Sequence, residues 1–256
     1  MNRWPWATAW WCTDVAAAVP LVGVAHALAH DLDSLHWQTP SHVYNPLHYA
    51  WDGHRQFLQR FGQKRGRVLL VGMNPGPWGM AQTGVPFGNI TAVRQWFHID
   101  TQLTRDLPAQ HPKYPILGMA CHRDEGSGKR LWGWAGQRVG SAEQFFDRFF
   151  VWNYCPLLFL ANNRNLIPAG LKASEQQPLE ALCAAAFADA VRLLEPDAIV
   201  ALGRYAEKQV RSIVDNRVPV IYLLHPSPAN PTANRHWAEH AEAALAPWLP
   251  PPGGGA

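Results

Sequence analysis

The chain has 256 residues, 48% of them hydrophobic, and a formal net charge of only +3. The apolar fraction suffices for a real core and excludes wholesale disorder, while so small a charge excludes a surface built throughout to grip nucleic acid electrostatically. Cys12, Cys121, Cys155 and Cys183 show no C-x-x-C spacing and the twelve histidines are scattered, so no metal site is expected and the cysteines read as reduced thiols of a cytoplasmic protein.

Residues 1–40 read as an N-terminal extension. Trp4, Trp6, Trp10 and Trp11 precede a run from Val15 to Ala29 that Pro20 and His26 interrupt. That run falls short of the ~20 apolar residues that cross a bilayer, so no membrane partner is expected. Leu28, Leu32 and Leu35 on one face predict an amphipathic helix instead. Residues 41–246 read as one domain. Apolar runs predict strands at Arg67 to Gly72, Phe149 to Asn153, Asp197 to Leu202 and Val218 to Leu224. Between them, helices are predicted over Gly88 to Phe97, over Ser141 to Phe146 behind a Ser-x-x-Gln capping box, and over Pro178 to Leu194. Tyr205 to Val214 and Thr232 to Leu245 complete the set. Phe97 to Val139, with Pro108, Pro112 and Pro115, reads as mostly irregular, and loops so long tend to be functional. Residues 247–256 read as a disordered Pro/Gly tail. Strands alternating with helices predict an α/β fold whose parallel sheet is covered on both faces.

Three strands finish on a polar residue followed closely by proline: Asn74 before Pro75, Asn153 before Pro156, and His225 before Pro226. Singly, such an asparagine is a turn former and such a histidine is structural. Together, at the carboxyl edge where open parallel sheets bind ligands, they point to one site. None of the three segments holds an Asp or Glu, and Ser227 has no acidic orienter in view, so a nucleophile triad fits poorly. The glycines around Asn74 lack the lysine of a phosphate loop. What remains is a site that orients water and hydrogen-bonds a neutral heterocycle. An asparagine can accept from one ring N–H and donate to the adjacent carbonyl, the edge that uracil presents. Cytosine presents the reverse and would leave both groups unpaired.

The segments GMNPGPWGMAQTGVPFG from Gly72 to Gly88 and HPSPANPTANRHW from His225 to Trp237 closely resemble the single-strand-selective monofunctional uracil-DNA glycosylases. Asn153 in WNYCPLLF and Trp132 in SGKRLWGW extend the likeness, which runs from Tyr44-Asn45-Pro46 to the last helix. The resemblance implies a three-layer α/β/α fold with a short four-stranded, mainly parallel central sheet. It implies a monomer needing no cofactor, cytoplasmic or, in a eukaryote, nuclear. Its partner would be DNA, single- or double-stranded, from which it removes uracil and 5-substituted uracils such as 5-hydroxymethyluracil, leaving an abasic site after flipping the nucleotide. By position, Asn74 would orient water and His225 would donate to the leaving base. Asn153 would read the base edge, Phe87 would stack on it and Met73 would touch it through its backbone. Gly76 and Met80 would shape the space near C5, the glycine leaving room for substituents. Asn163, Arg164 and Asn165 would contact DNA, and Pro226, Ser227, Pro228, Ala229 and Asn230 would form a wedge. Ala229 stands where many relatives carry a basic residue, and Trp78 where a smaller aromatic is expected. Two alternatives stay open: a same-fold glycosylase shifted toward xanthine or other deaminated bases, and a noncatalytic binder of damaged DNA.

Overall fold

Val68 to Gly72 is buried at every position, the pattern of a strand covered on both faces. In the computed structural model, which describes residues 20–104 and 106–251, it lies inside a parallel sheet. The described strands are β1 (His42–Tyr44), β2 (Val68–Gly72), β3 (Phe149–Asn153), β4 (Leu158–Ala161), β5 (Arg164–Leu166), β6 (Ala198–Leu202) and β7 (Val220–Leu223). The helices are α1 (Pro20–Asp31), α2 (Pro46–Tyr49), α3 (Trp51–Phe61), α4 (Met80–Thr83), α5 (Gly126–Val139), α6 (Ala142–Arg148), α7 (Ala173–Leu194), α8 (Arg204–Ile213) and α9 (Pro231–Leu245).

The main sheet has the order β3-β2-β6-β7 with every neighbouring pair parallel. All four expected strands are therefore present, and helices flank them as an α/β/α fold requires. The parallel register sets Gly72 opposite Asn153, so the polar strand ends share one edge. A second sheet, antiparallel β1-β4-β5, was not anticipated. Its β4–β5 turn uses Asn162 and Asn163, both with positive φ (48° and 61°), as a tight two-residue hairpin demands.

Three helical expectations shift. Gly88 to Phe97 forms only a π-helical turn over Ala92–Trp96, with the Asn89 side chain accepting from the Ala92 N–H at 2.9 Å. The stretch expected to be irregular ends in the 14-residue helix α5. Helix α7 begins at Ala173, so Pro178 lies within its second turn. The capping box at Ser141 and Gln144 is formed.

Leu21, Ala25, Leu28 and Leu32 join the main core, and α1 packs on α7. The division expected at residue 41 thus does not separate two packing units. An aromatic cluster backs β3: Phe61 stacks on Phe146 at 4.1 Å between centroids, Phe57 on Phe150 at 5.5 Å, and Trp132 meets Phe97 edge-on at 4.9 Å. Within the stretch expected as a tail, Trp248 and Leu249 pack on the core and the Pro250 carbonyl accepts from Arg138 at 2.6 Å. Residues 252–256 of the expected tail and residues 1–19 of the extension expected over 1–40 lie outside the described residues.

Candidate active site

The sheet's ladder continues past its strand ends. The Tyr154 and Cys155 N–H groups donate to the Gly72 and Met73 carbonyls, each at 2.9 Å, which carries Asn74 and Asn153 side by side to the carboxyl edge. A cavity of about 230 Å³ opens there, lined by Met73, Asn74, Gly76, Met80 and Phe87 from one segment and by Asn153 and His225 from two others. Asn165 and Ser227 reach the same cavity. A larger hollow of about 550 Å³, walled by Leu35, Trp37, Tyr49 and Leu107, holds none of the expected residues.

The Asn153 amide is buried. Its Nδ2 donates to the Met80 sulfur at 3.2 Å, while its Oδ1 has no partner among the described residues. A buried acceptor left unpaired costs about 1–3 kcal/mol. Gly72 permits this placement, since a Cβ there would sit 2.4 Å from Asn153 Oδ1 and 2.5 Å from the Phe87 ring. Asn74 donates from Nδ2 to the Leu157 carbonyl at 3.2 Å, which leaves its Oδ1 to accept from a water.

Phe87 sits at φ +55°, a left-handed conformation rare for a bulky residue and a store of strain of order 1–3 kcal/mol. Helix α5 holds it there. Trp132 donates from Nε1 to the Phe87 carbonyl at 2.9 Å, and Gly128 lies so close to that carbonyl that a Cβ would meet it at 2.0 Å. The Phe87 and His225 rings stand 5.9 Å apart, tilted by 36°.

His225 accepts at Nδ1 from the Ser227 N–H at 3.1 Å. Desolvation by burial lowers its pKa to about 4, so the ring is neutral at neutral pH. With Nδ1 accepting, the single ring proton resides on Nε2. The imidazole is thus a fixed neutral donor.

Glu125, absent from the expected set, also lines the cavity. Burial raises its carboxyl above the usual range, opposed by hydrogen bonds from the Trp78 and Ser127 N–H groups and the Ser127 hydroxyl. A Cβ on Gly76 would meet Glu125 Oε2 at 2.1 Å. The space beside that glycine, expected to be open, is therefore held by a carboxyl group. Glu125 was hidden because glycines 126 and 128 made its segment read as loop. Leu131, Trp132, Trp134 and Ala135, buried at helical spacing, carried the opposite signal.

Of the expected DNA-contacting set, Asn163 on the β4–β5 turn and Arg164 at the start of β5 lie exposed and do not line the cavity. The Asn163 carbonyl accepts from the Tyr114 hydroxyl at 2.9 Å and from Lys113 Nζ at 3.0 Å. Pro226 is buried, while Pro228 and Ala229 are exposed. The Asn230 side chain caps α9, accepting from the Thr232 and Ala233 N–H groups at 3.0 and 3.3 Å.

The family model of the Uracil DNA glycosylase superfamily matches residues 59–247. Over 207 residues the chain is 44% identical to the single-strand selective monofunctional uracil DNA glycosylases of Bos taurus and Rattus norvegicus, covering 79% of this chain and 76% and 74% of theirs. The crystal structure of wild-type Pedobacter heparinus SMUG2 superposes with a TM-score of 0.62 over 88% of this chain and 97% of that one, at 19% identity, a likeness of fold. The chain belongs to the uracil DNA glycosylase superfamily, alongside the single-strand selective monofunctional enzymes.

Proposed function

We propose that the chain is a monofunctional base-excision repair glycosylase that hydrolyses the bond between uracil and deoxyribose in DNA. One observation carries this reading: the unpartnered, buried Asn153 Oδ1 in the wall of a cavity that also holds the neutral His225 donor. A uracil flipped into the cavity donates from N3–H to Oδ1 and accepts at O4 from Nδ2. Phe87 supplies a ring face for the base.

When the C1′–N1 bond breaks, its electron pair goes to the base and positive charge gathers on the sugar. His225 Nε2–H donates to O2 as that oxygen becomes anionic, without first giving up a proton. A preformed donor of this kind is worth about 3–4 kcal/mol. Asn74 Oδ1 holds a water whose oxygen bonds to C1′. An amide takes no proton near neutral pH, so Asn74 acts by positioning rather than as a base. The proton that the attacking water sheds neutralises the uracil anion, so the products are neutral uracil and an abasic site, and no step calls on a metal or organic cofactor.

The wall beside C5 follows from the same geometry. Nδ2 of Asn153, which would meet O4, touches the Met80 sulfur, and Glu125 packs on Gly79 and Gly76 just ahead of Met80. C5 neighbours C4, so a 5-substituent turns toward the Glu125 carboxyl. A hydroxymethyl group can donate to it, whereas the thymine methyl would desolvate it without compensation. The exposed β4–β5 turn with Arg164 and the Pro226–Asn230 loop form the DNA-facing rim. The chain acts as a monomer where the cell keeps its DNA.

The test incubates the purified protein with chelator and oligonucleotides bearing uracil, 5-hydroxymethyluracil, thymine or xanthine, in single and double strands. Alkali then cleaves at abasic sites. Uracil strands cleave only after alkali. Retention of the oligonucleotide without cleavage identifies a binder, and release of xanthine but not uracil identifies the shifted glycosylase; either overturns the reading.

A further inference from the structure

Pro226 and Pro228 lack N–H groups, so the loop after β7 has few donors with which to hold itself. Those it has are all engaged. Ser227 N–H donates to His225 Nδ1 at 3.1 Å, Ala229 N–H to Ser227 Oγ at 3.2 Å, and Asn230 N–H to the Ser227 carbonyl at 3.1 Å. Three of its carbonyls are held from outside. Arg130 on α5 donates from one guanidinium nitrogen to the Pro226 carbonyl at 2.9 Å and the Ser227 carbonyl at 3.3 Å. Its other terminal nitrogen donates to Asn234 Oδ1 at 2.8 Å, and Asn234 in turn donates to the Pro228 carbonyl at 2.8 Å. Gly126, at the start of the same helix, lets the loop close, since a Cβ there would meet Pro228 Cγ at 2.4 Å. Arg130 forms no ion pair among the described residues. Its charge is directed at neutral acceptors on one loop and one helix, in a fork that a lysine cannot reproduce.

We propose that Arg130 is a positioning residue for the release of the base. By clamping the Pro226 and Ser227 carbonyls it keeps the Ser227 N–H directed at His225 Nδ1, and so keeps the ring proton on Nε2, the nitrogen that can donate into the cavity. The inference rests on the reading of His225 as the donor to the leaving base. It goes beyond that reading in assigning the histidine's tautomer to a residue 95 positions earlier in the chain, on a different element. Without the clamp the loop loses its link to α5, the Ser227 N–H drifts, and the ring samples both neutral tautomers.

The experiment uses the full chain labelled with nitrogen-15 in its histidines, with Arg130→Met, Arg130→Lys and Asn234→Ala compared with the unaltered protein. Imidazole nitrogen shifts report the His225 tautomer, and single-turnover and steady-state assays on a uracil oligonucleotide separate kcat from KM. Arg130→Met is expected to move both nitrogens toward tautomer-averaged values and to lower kcat roughly ten- to hundredfold with little change in KM. Arg130→Lys keeps the charge and is expected to lose most of the same kcat. Asn234→Ala, which leaves the two carbonyl contacts in place, is expected to be milder in both readouts and serves if Arg130→Met does not fold. Unmoved His225 signals in the Arg130 variants overturn the proposal whatever the activity. A loss confined to KM, fully restored by lysine and steep in salt, also overturns it and marks Arg130 as a phosphate contact. Shifted signals at full turnover overturn it too. Failure of the underlying reading shows separately, as full turnover by His225→Ala.

Discussion

In the proposed reading His225 meets uracil O2 while Asn153 meets the adjoining N3–H and O4, and their substitutions separate. His225→Ala removes the donor to O2 and is expected to lower turnover on uracil by roughly two to three orders of magnitude, with binding of the oligonucleotide little changed. Single-turnover rates decide, and an unchanged rate removes the assigned role. Asn153→Asp keeps an acceptor for N3–H but turns the donor facing O4 into a second acceptor. Excision of uracil is expected to fall about tenfold or more, so the preference for uracil over cytosine narrows. Equal rates before and after the change would show that Asn153 does not read the edge. Glu125→Ala tests the wall beside C5. It removes the acceptor for a donating substituent and opens space for a methyl group. The ratio of 5-hydroxymethyluracil to thymine excision is expected to drop by about tenfold, and a constant ratio would leave Glu125 as a structural carboxyl.

At the scale of elements, α5 shows what the sequence conceals and why. Its four glycines, 126, 128, 133 and 136, made it read as loop. Two of them answer to tertiary contacts and two answer to nothing visible. A Cβ at Gly128 would meet the Phe87 carbonyl at 2.0 Å, whereas at Gly133 and Gly136 it would meet nothing within 4 Å. Gly128→Ala is therefore expected to push α5 off Phe87, break the Trp132 bond and lower both stability and activity. Gly133→Ala and Gly136→Ala are each expected to stabilise by about 0.5–1 kcal/mol through the unfolded chain and the helix propensity. Urea titrations of the three variants give the comparison, and a common sign would refute it. The four parallel strands were legible because each is an unbroken apolar run: β2, β3 and β6 are buried at every position, and β7, half-buried at the sheet edge, keeps the same composition. Asn74, Asn153 and His225 were legible because each ends such a run. The β1-β4-β5 sheet was not, since its strands have three or four residues and only pairing at long sequence separation makes them strands. Glu125 and Arg130 were not either, because one stands immediately before the helix the glycines hid and the other lies on it.

For the whole molecule, two desolvated histidines, His54 and His225, shape the response to acid. His54 is buried with Nδ1 2.7 Å from the Gly84 carbonyl and Nε2 without a hydrogen-bond partner among the described residues, and desolvation lowers its pKa to about 4. His225 is lowered to about 4 for the same reason. Both folded values lie below the ordinary 6.5, so between about 4 and 6.5 the unfolded chain binds more protons than the folded one. Stability is therefore fully present above pH 6.5 and declines as pH falls toward 4, by up to about 3 kcal/mol for His54 and less for the half-buried His225. Glu125, raised by burial, works with the opposite sign, because its folded form holds a proton longer as pH rises. Glu175 is lowered to about 2: burial opposes its ionisation, but hydrogen bonds from Thr39, Gln38 and Lys172 outweigh that, so its contribution is lost below the histidine window. Urea unfolding across pH 7 to 4 is expected to show a stability slope that flattens in His54→Phe, and an identical slope in that variant would remove His54 as its source. Turnover should follow a different course from that of an enzyme relying on an ordinary imidazole. Protonating His225 requires Nδ1 to release the Ser227 N–H, which the folded loop resists. The rate is thus expected to stay level through pH 6.5 and to fall only as pH approaches 4; a fall centred near 6.5 would mean that the imidazole is exposed during turnover and that the loop does not hold its proton in place.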